Sequence, residues 1–173
     1  MKTRIMVGVL ISLVTMYLPA RAADPKPLTA AERFEQIKKL AGDWAEKGKD
    51  GAATEKKTSY RVTSGGSAVI ETIFPGSEKE MITMYHLDGD KLILKHYCML
   101  GNQPCLSAES SADAKKIRFN FLNATNMKSE KDLHMHQVEF TIVDQDHLIA
   151  EWGSCQDGNA CKLMRIEMIR LKK

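Results

Sequence analysis

Neither charge is in surplus once the first 22 residues are set aside, because removing Lys2, Arg4 and Arg21 from 25 lysines and arginines leaves 22 against 22 acids. A balanced chain with no dense basic patch lacks the electrostatic footprint for nucleic acid or an anionic membrane, so neither is expected as a partner. There is no internal repeat and no low-complexity tract, which excludes a solenoid or a disordered array. No phosphate-binding glycine loop and no dinucleotide fingerprint occurs. The serines lie in turns or weak strands without a nucleophile elbow, and no pair of carboxylates falls on an inward strand face, Glu139 and Glu151 taking outward or mouth positions. A hydrolytic enzyme is therefore disfavoured.

What the chain does carry at its start is a leader. Lys2 and Arg4 precede an apolar run from Ile5 to Leu18, followed by Pro19-Ala20-Arg21-Ala22 with small residues at the cleavage positions. The run is too short for a comfortable membrane span, and no cysteine stands at the cleavage point for a lipid. The expectation is a signal peptide over residues 1–22, cut near Ala22, and a secreted or periplasmic product with no membrane anchor. Residues 23–173 are then one domain of ordinary size with one core.

After a Pro-containing leader, Thr29 with Glu32 three residues on forms a capping box for a short helix over Ala30 to Leu40, which Gly42 ends. From there the chain is a succession of short strands between turn residues: Lys56 to Thr63, Ser67 to Phe74, then Met81 onward, Leu106 to Ser111 and Lys116 to Leu122. A polar loop follows over Asn123 to Asp132. In the last third, turns at Asp144-Gln145-Asp146 and after Ser154 set Val138 opposite Trp152, Phe140 opposite Ala150, Trp152 opposite Met164 and Ile166 opposite Ala150, so three strands agree on one buried face. Eight to ten antiparallel strands in sequence call for closure, since an open meander would expose two long edges. The fold class expected is all-β, an up-and-down barrel with a short N-terminal helix; a two-sheet sandwich is the rival.

The stretch Met81 to Cys98 reads as a hairpin. A three-residue loop, Asp88-Gly89-Asp90, pairs Ile82 with His96, Met84 with Leu94 and His86 with Leu92, matching apolar faces and turning His86, His96 and Cys98 inward. By the same parity Leu94 is inside and Lys95 outside, and Met84, Met164 and Met168 face the interior. A small barrel with Met, His and Tyr inside suits a binding cavity better than a dry core.

Gly42-Asp43-Trp44 after a short helix resembles the Gly-x-Trp opening of the lipocalin and calycin superfamily, and the strand succession is similar to its fatty-acid-binding and nitrobindin-like members. The resemblance implies that Trp44 closes one barrel end under a basic residue of the last strand, for which Arg170 is placed. More narrowly, Tyr85-His86-Leu87-Asp88-Gly89-Asp90, His96-Tyr97-Cys98, Gly101-Asn102-Gln103-Pro104 and His134-Met135-His136 resemble an uncharacterised family of exported bacterial proteins.

Export permits disulfides, and the four cysteines form two local pairs. The register of the last two strands places Cys155 directly opposite Cys161, so these are expected to be joined. Cys98 and Cys105 bracket the Gly-Asn-Gln-Pro corner and are either a structural disulfide or, with Cys98 inward, a free interior thiol. His134-x-His136 and His96-x-Cys98 each put two donors on one strand face, the spacing of strand-borne metal sites. Two readings follow. In the first, the barrel binds a small, mostly apolar molecule, with His86, His96, His134, His136, Tyr60 and Trp152 lining the cavity and the four histidines forming one polar strip. In the second, His96, Cys98, His134 and His136 converge on a transition metal, or the protein holds haem, as a metalloprotein with or without enzymatic activity.

Overall fold

The computed structural model describes residues 26–158 and 161–172. The leader, with its cleavage point, lies outside the described residues. Ten antiparallel strands close into one barrel in which every strand pairs with its chain neighbours and the first meets the last. They are β1 (Gly42–Lys47), β2 (Ala53–Thr63), β3 (Ala68–Ile73), β4 (Met81–Asp88), β5 (Lys91–Tyr97), β6 (Gln103–Ala108), β7 (Lys116–Thr125), β8 (His134–Ile142), β9 (His147–Cys155) and β10 (Lys162–Arg170), preceded by helix α1 (Ala30–Lys38). The barrel, not the sandwich, is the answer, and pairing of the first strand with the last removes the two long edges of an open meander.

The capping box forms as expected: the Thr29 hydroxyl accepts from the Glu32 amide and the Glu32 carboxylate accepts from the Thr29 amide. Helix α1 lies across one barrel end. Phe34 and Ile37 enter the core, and buried Arg33 donates to the carbonyls of Ser111, in the loop between β6 and β7, and Lys116, at the start of β7. The chain then turns at Gly42, with φ at +131° and the Arg170 guanidinium 2.9 Å from where a Cβ would stand. The positive φ is what favours glycine here, and a side chain would also have to displace the Arg170 guanidinium. Trp44 is fully buried and its indole donates to the Leu40 carbonyl at 2.8 Å, while Arg170 covers the ring, as the calycin resemblance implies. Above this plug, Tyr85, Phe119 and Phe140 meet pairwise at 6.0 to 6.2 Å in tilted and edge-on contacts that fill the middle of the barrel.

The registers of β8, β9 and β10 are those read from the sequence, including Val138 opposite Trp152 and Met164 opposite Trp152. Val138, Phe140, Leu94 and Trp152 are buried, and Ile166 packs partly buried against the core; Glu167 and His147 are exposed, while Lys95 and Glu139 are half-buried. Met164 departs from expectation at 51% exposed. The cause is the shortness of β1, which pairs with β10 only from Trp44 to Glu46 against Arg170 to Met168. Among the described residues, the far half of β10 therefore pairs with β9 on one side and with no strand on the other, and Met164 stands in that gap.

The hairpin of β4 and β5 also departs. Its loop is two residues, Gly89-Asp90, not three, so Thr83 pairs with His96, Tyr85 with Leu94 and His86 with Ile93. Gly89 takes φ +59° at the first central position, where primed hairpin turns favour glycine. The one-residue shift turns Thr83 and Tyr85 inward and leaves Ile82, Met84 and His86 on the outer wall. Strand β7 runs on to Thr125, through the region read as the start of a polar loop.

Cys155 and Cys161 are joined, with Cα atoms 4.3 Å apart. Cys98 and Cys105 are free. Lys95 pairs with Cys105, and the Cys98 amide donates to the Asn102 carbonyl, so the two cysteines sit at different levels of the β5–β6 ladder and cannot bond.

Candidate functional site

Four inward residues on consecutive strands lie in one row. Tyr60 on β2 is directly opposite Glu71 on β3, Glu71 is opposite Thr83 on β4, and Thr83 is opposite His96 on β5. Opposed side chains in an antiparallel sheet are within bonding reach, so the row becomes a chain of hydrogen bonds. The Tyr60 hydroxyl donates to one Glu71 carboxylate oxygen and the Tyr85 hydroxyl to the other, both at 2.6 Å, and Thr83 Oγ1 lies 2.9 Å from His96 Nδ1. The His96 ring packs on Trp152 with centroids 5.1 Å apart.

This belt is buried: Glu71 is 2% exposed and His96 1%. Burial raises the Glu71 carboxyl above the ordinary carboxylate range, and hydrogen bonds from Tyr60, Tyr85 and Thr83 oppose that rise. Burial, then the Glu71 charge, pushes both tyrosine hydroxyls well up, so they remain donors. Desolvation lowers His96 to about 4 and keeps it neutral. With Thr83 Oγ1 accepting from His96 Nδ1–H, the ring's lone pair falls on Nε2, a buried atom with no hydrogen-bond partner among the described residues.

The belt borders a cavity of about 30 Å³, room for a single water. Its apolar walls are Ile73, Phe74, Ala150, Trp152, Ile166 and Met168; Thr58 and Glu71 are its buried polar groups. The cavity sits where β1 stops short, and at its rim Lys56 and Glu46 form an ion pair at 3.0 Å. Lys56 and Phe74 also line an outer groove of about 520 Å³ beneath the loop from Phe74 to Lys79. Inner cavity and outer groove thus share a wall.

A second cluster stands at the opposite end from α1. His134 Nε2 is 2.9 Å from His136 Nδ1, and the Phe121 ring lies 4.6 Å from His134 and 5.0 Å from His136, stacked on the latter. His136 occupies a bulge, the extra residue between Met135 and Gln137 in the β8–β9 ladder, which brings its ring back over the strand toward His134.

Of the residues singled out from the sequence, His96 and Trp152 meet within the barrel, Tyr60 bonds Glu71 in the same inward row, and His134 and His136 meet each other. His86 does not join either group, for the reason of register given above, so the expected strip of four inward histidines is corrected to a belt of Tyr60, Glu71, Thr83 and His96. Among the described residues no three His, Cys, Asp or Glu side chains come close enough together to hold a metal, so His96, Cys98, His134 and His136 do not form a four-ligand site. A porphyrin does not fit an interior whose cavity is about 30 Å³. Sequence reasoning missed Glu71. The signal was a lone acid sharing strand parity with Val69 and Ile73 in Ala-Val-Ile-Glu-Thr-Ile-Phe.

Compared with known proteins, the chain matches no family model and no curated protein.

Proposed function

We propose that this chain is an exported, calycin-like binding protein that takes a small, mostly apolar molecule at the gap beside β1, with Glu71 of the interior belt supplying its polar contact. The observation that carries the reading is an apolar-walled cavity with a buried carboxyl where β1 ends, sharing the Lys56 and Phe74 wall with an outer groove about seventeen times its volume, roughly the size range of small-molecule sites. The inner space admits a group the size of one water, so the ligand places only its terminal head atom inside and the rest of its body in the groove. The disulfide suits an oxidising compartment, in keeping with export.

Nuclear magnetic resonance titration with a panel of six-carbon probes, hexanol, hexylamine and hexanoate, tests this. Shifts should concentrate at the Trp152 indole, Ala150, Ile166 and Met168, while Trp44, sealed under Arg170, stays still and serves as reference. No saturable shift with any probe, or shifts confined to the outer wall around His86, would defeat the reading.

A further inference from the structure

We infer that the head group taken by the inner cavity is a cationic amine, held by Glu71 as its counter-ion. The inference rests on the binding reading above and specifies the ligand class. Tyr60 and Tyr85 each direct a hydroxyl at Glu71, and neither hydroxyl has another partner among the described residues. Both hydroxyls are therefore donors, one to each carboxyl oxygen.

A carboxylate offers about four lone-pair positions, so capacity for a further donor is left over on the cavity side. Among the described residues, no lysine or arginine forms an ion pair with Glu71. Lys56, the one lysine or arginine lining the cavity, is at the rim with its side chain 63% exposed and is already paired with Glu46. An isolated buried anion is costly, and a positively charged donor entering the cavity removes that cost while completing the hydrogen bonding. The Trp152 face on the same wall is a second attraction for a cation. A carboxylate head would meet Glu71 with like charge and is excluded from the inner space. The raised proton affinity of Glu71 agrees with this assignment, because an arriving ammonium would displace that proton.

Calorimetric titration of the mature protein with hexylamine, hexanol and hexanoate separates the inference from the reading beneath it. Hexylamine should bind at least about tenfold tighter than hexanol, hexanoate should not reach the inner cavity, and in buffers of differing ionisation heat hexylamine alone should release protons near the Glu71 titration. Glu71→Gln should abolish the amine preference while keeping hexanol binding. Equal binding of hexanol and hexylamine by the wild-type chain overturns the amine assignment and leaves the binding site standing; absence of binding by all three overturns both. The wild-type comparison and the proton release decide the matter even where Glu71→Gln folds poorly.

Discussion

The Arg170 guanidinium lies 4.2 Å over the Trp44 ring, and the same group donates to the Ala41 carbonyl at 2.7 Å, Lys39 at 3.0 Å and Gln145 at 2.9 Å. One side chain of the last strand thereby closes the carbonyl end of α1, the entry to β1 and the β8–β9 turn. A planar fork with several donors can do this and a point charge cannot. Arg170→Ala should cost about 3 kcal/mol in urea unfolding, and Arg170→Lys should recover less than half of the loss, because lysine reaches one or two of the carbonyls and does not stack. Full recovery by lysine would show that charge alone holds the plug.

Glu71 sets a pH dependence with a definite sign. Its folded-state proton affinity is raised over the ordinary value of 4.5, so its contribution to stability is complete below that pH and is lost as pH rises through the folded-state value. The slope is at most about 1.4 kcal/mol per pH unit. Measured as the difference between wild type and Glu71→Gln, stability should therefore shift in favour of the variant as pH climbs above 4.5. A difference that grows in favour of wild type over that range would mean that the tyrosine hydrogen bonds outweigh desolvation.

The third expectation runs the other way. His96 is lowered from 6.5 to about 4, so its contribution is fully present above pH 6.5 and disappears as pH falls through about 4, where the buried ring is forced to charge. The full difference is about 3 kcal/mol. His96→Phe, which keeps the ring contact with Trp152, should lose this acid sensitivity between pH 6.5 and 4 while Glu71 retains its own. If wild type and variant show the same acid limb, His96 is not buried in neutral form.

These two residues also mark how far the sequence carried. The helix cap, the Gly42-x-Trp44 plug with Arg170, and the β8 to β10 registers were legible because apolar alternation and turn spacing agree there, and the cysteine pair across β9 and β10 repeats the same register. In β4 they conflict. Ile82 and Met84 are more apolar than Thr83 and Tyr85, and parity alone sends them inward; the inward choice of Thr83 and Tyr85 becomes favourable only because Glu71 and His96 wait on the adjacent strands to bond them. A polar group's cross-strand partner is a tertiary fact that alternation within one strand does not contain. The early end of β1, which opens the cavity and exposes Met164, is likewise a property of how the barrel closes.

The thiols should divide by accessibility. Under non-reducing conditions Cys155 and Cys161 should map as one linked peptide, whose reduction costs about 2 kcal/mol through the freedom returned to a short loop in the unfolded chain. Cys105, half-buried, should alkylate first; Cys98 is buried and its thiol is pushed up by that burial, so it should react only slowly in the folded protein. A Cys98–Cys105 disulfide in native protein would contradict the β5–β6 ladder.

The last expectation concerns which atom of the His134–His136 pair takes a proton. His134 Nδ1 is 2.7 Å from the Asp132 carbonyl, which can only accept, so this nitrogen carries hydrogen. The neutral His134 ring then has its lone pair on Nε2, where it accepts from His136 Nδ1–H at 2.9 Å. Each ring's tautomer is thus fixed by the one before it, and the open lone pair of the pair falls on His136 Nε2. Proton uptake should occur there. Burial, and after it the neighbouring His134, lower His136 from its ordinary value, so the uptake is expected below pH 6.5. Nitrogen-15 correlation spectra at pH 8 should show both rings protonated on Nδ1, with the His136 Nε2 resonance moving as pH falls. Changing His134 to Phe removes both the acceptor and the like-charge penalty, and His136 should then titrate closer to its ordinary value, its Nδ1–H bond lost to solvent. An Nε2–H tautomer on His136 in the wild-type chain at pH 8 would break the dyad as drawn.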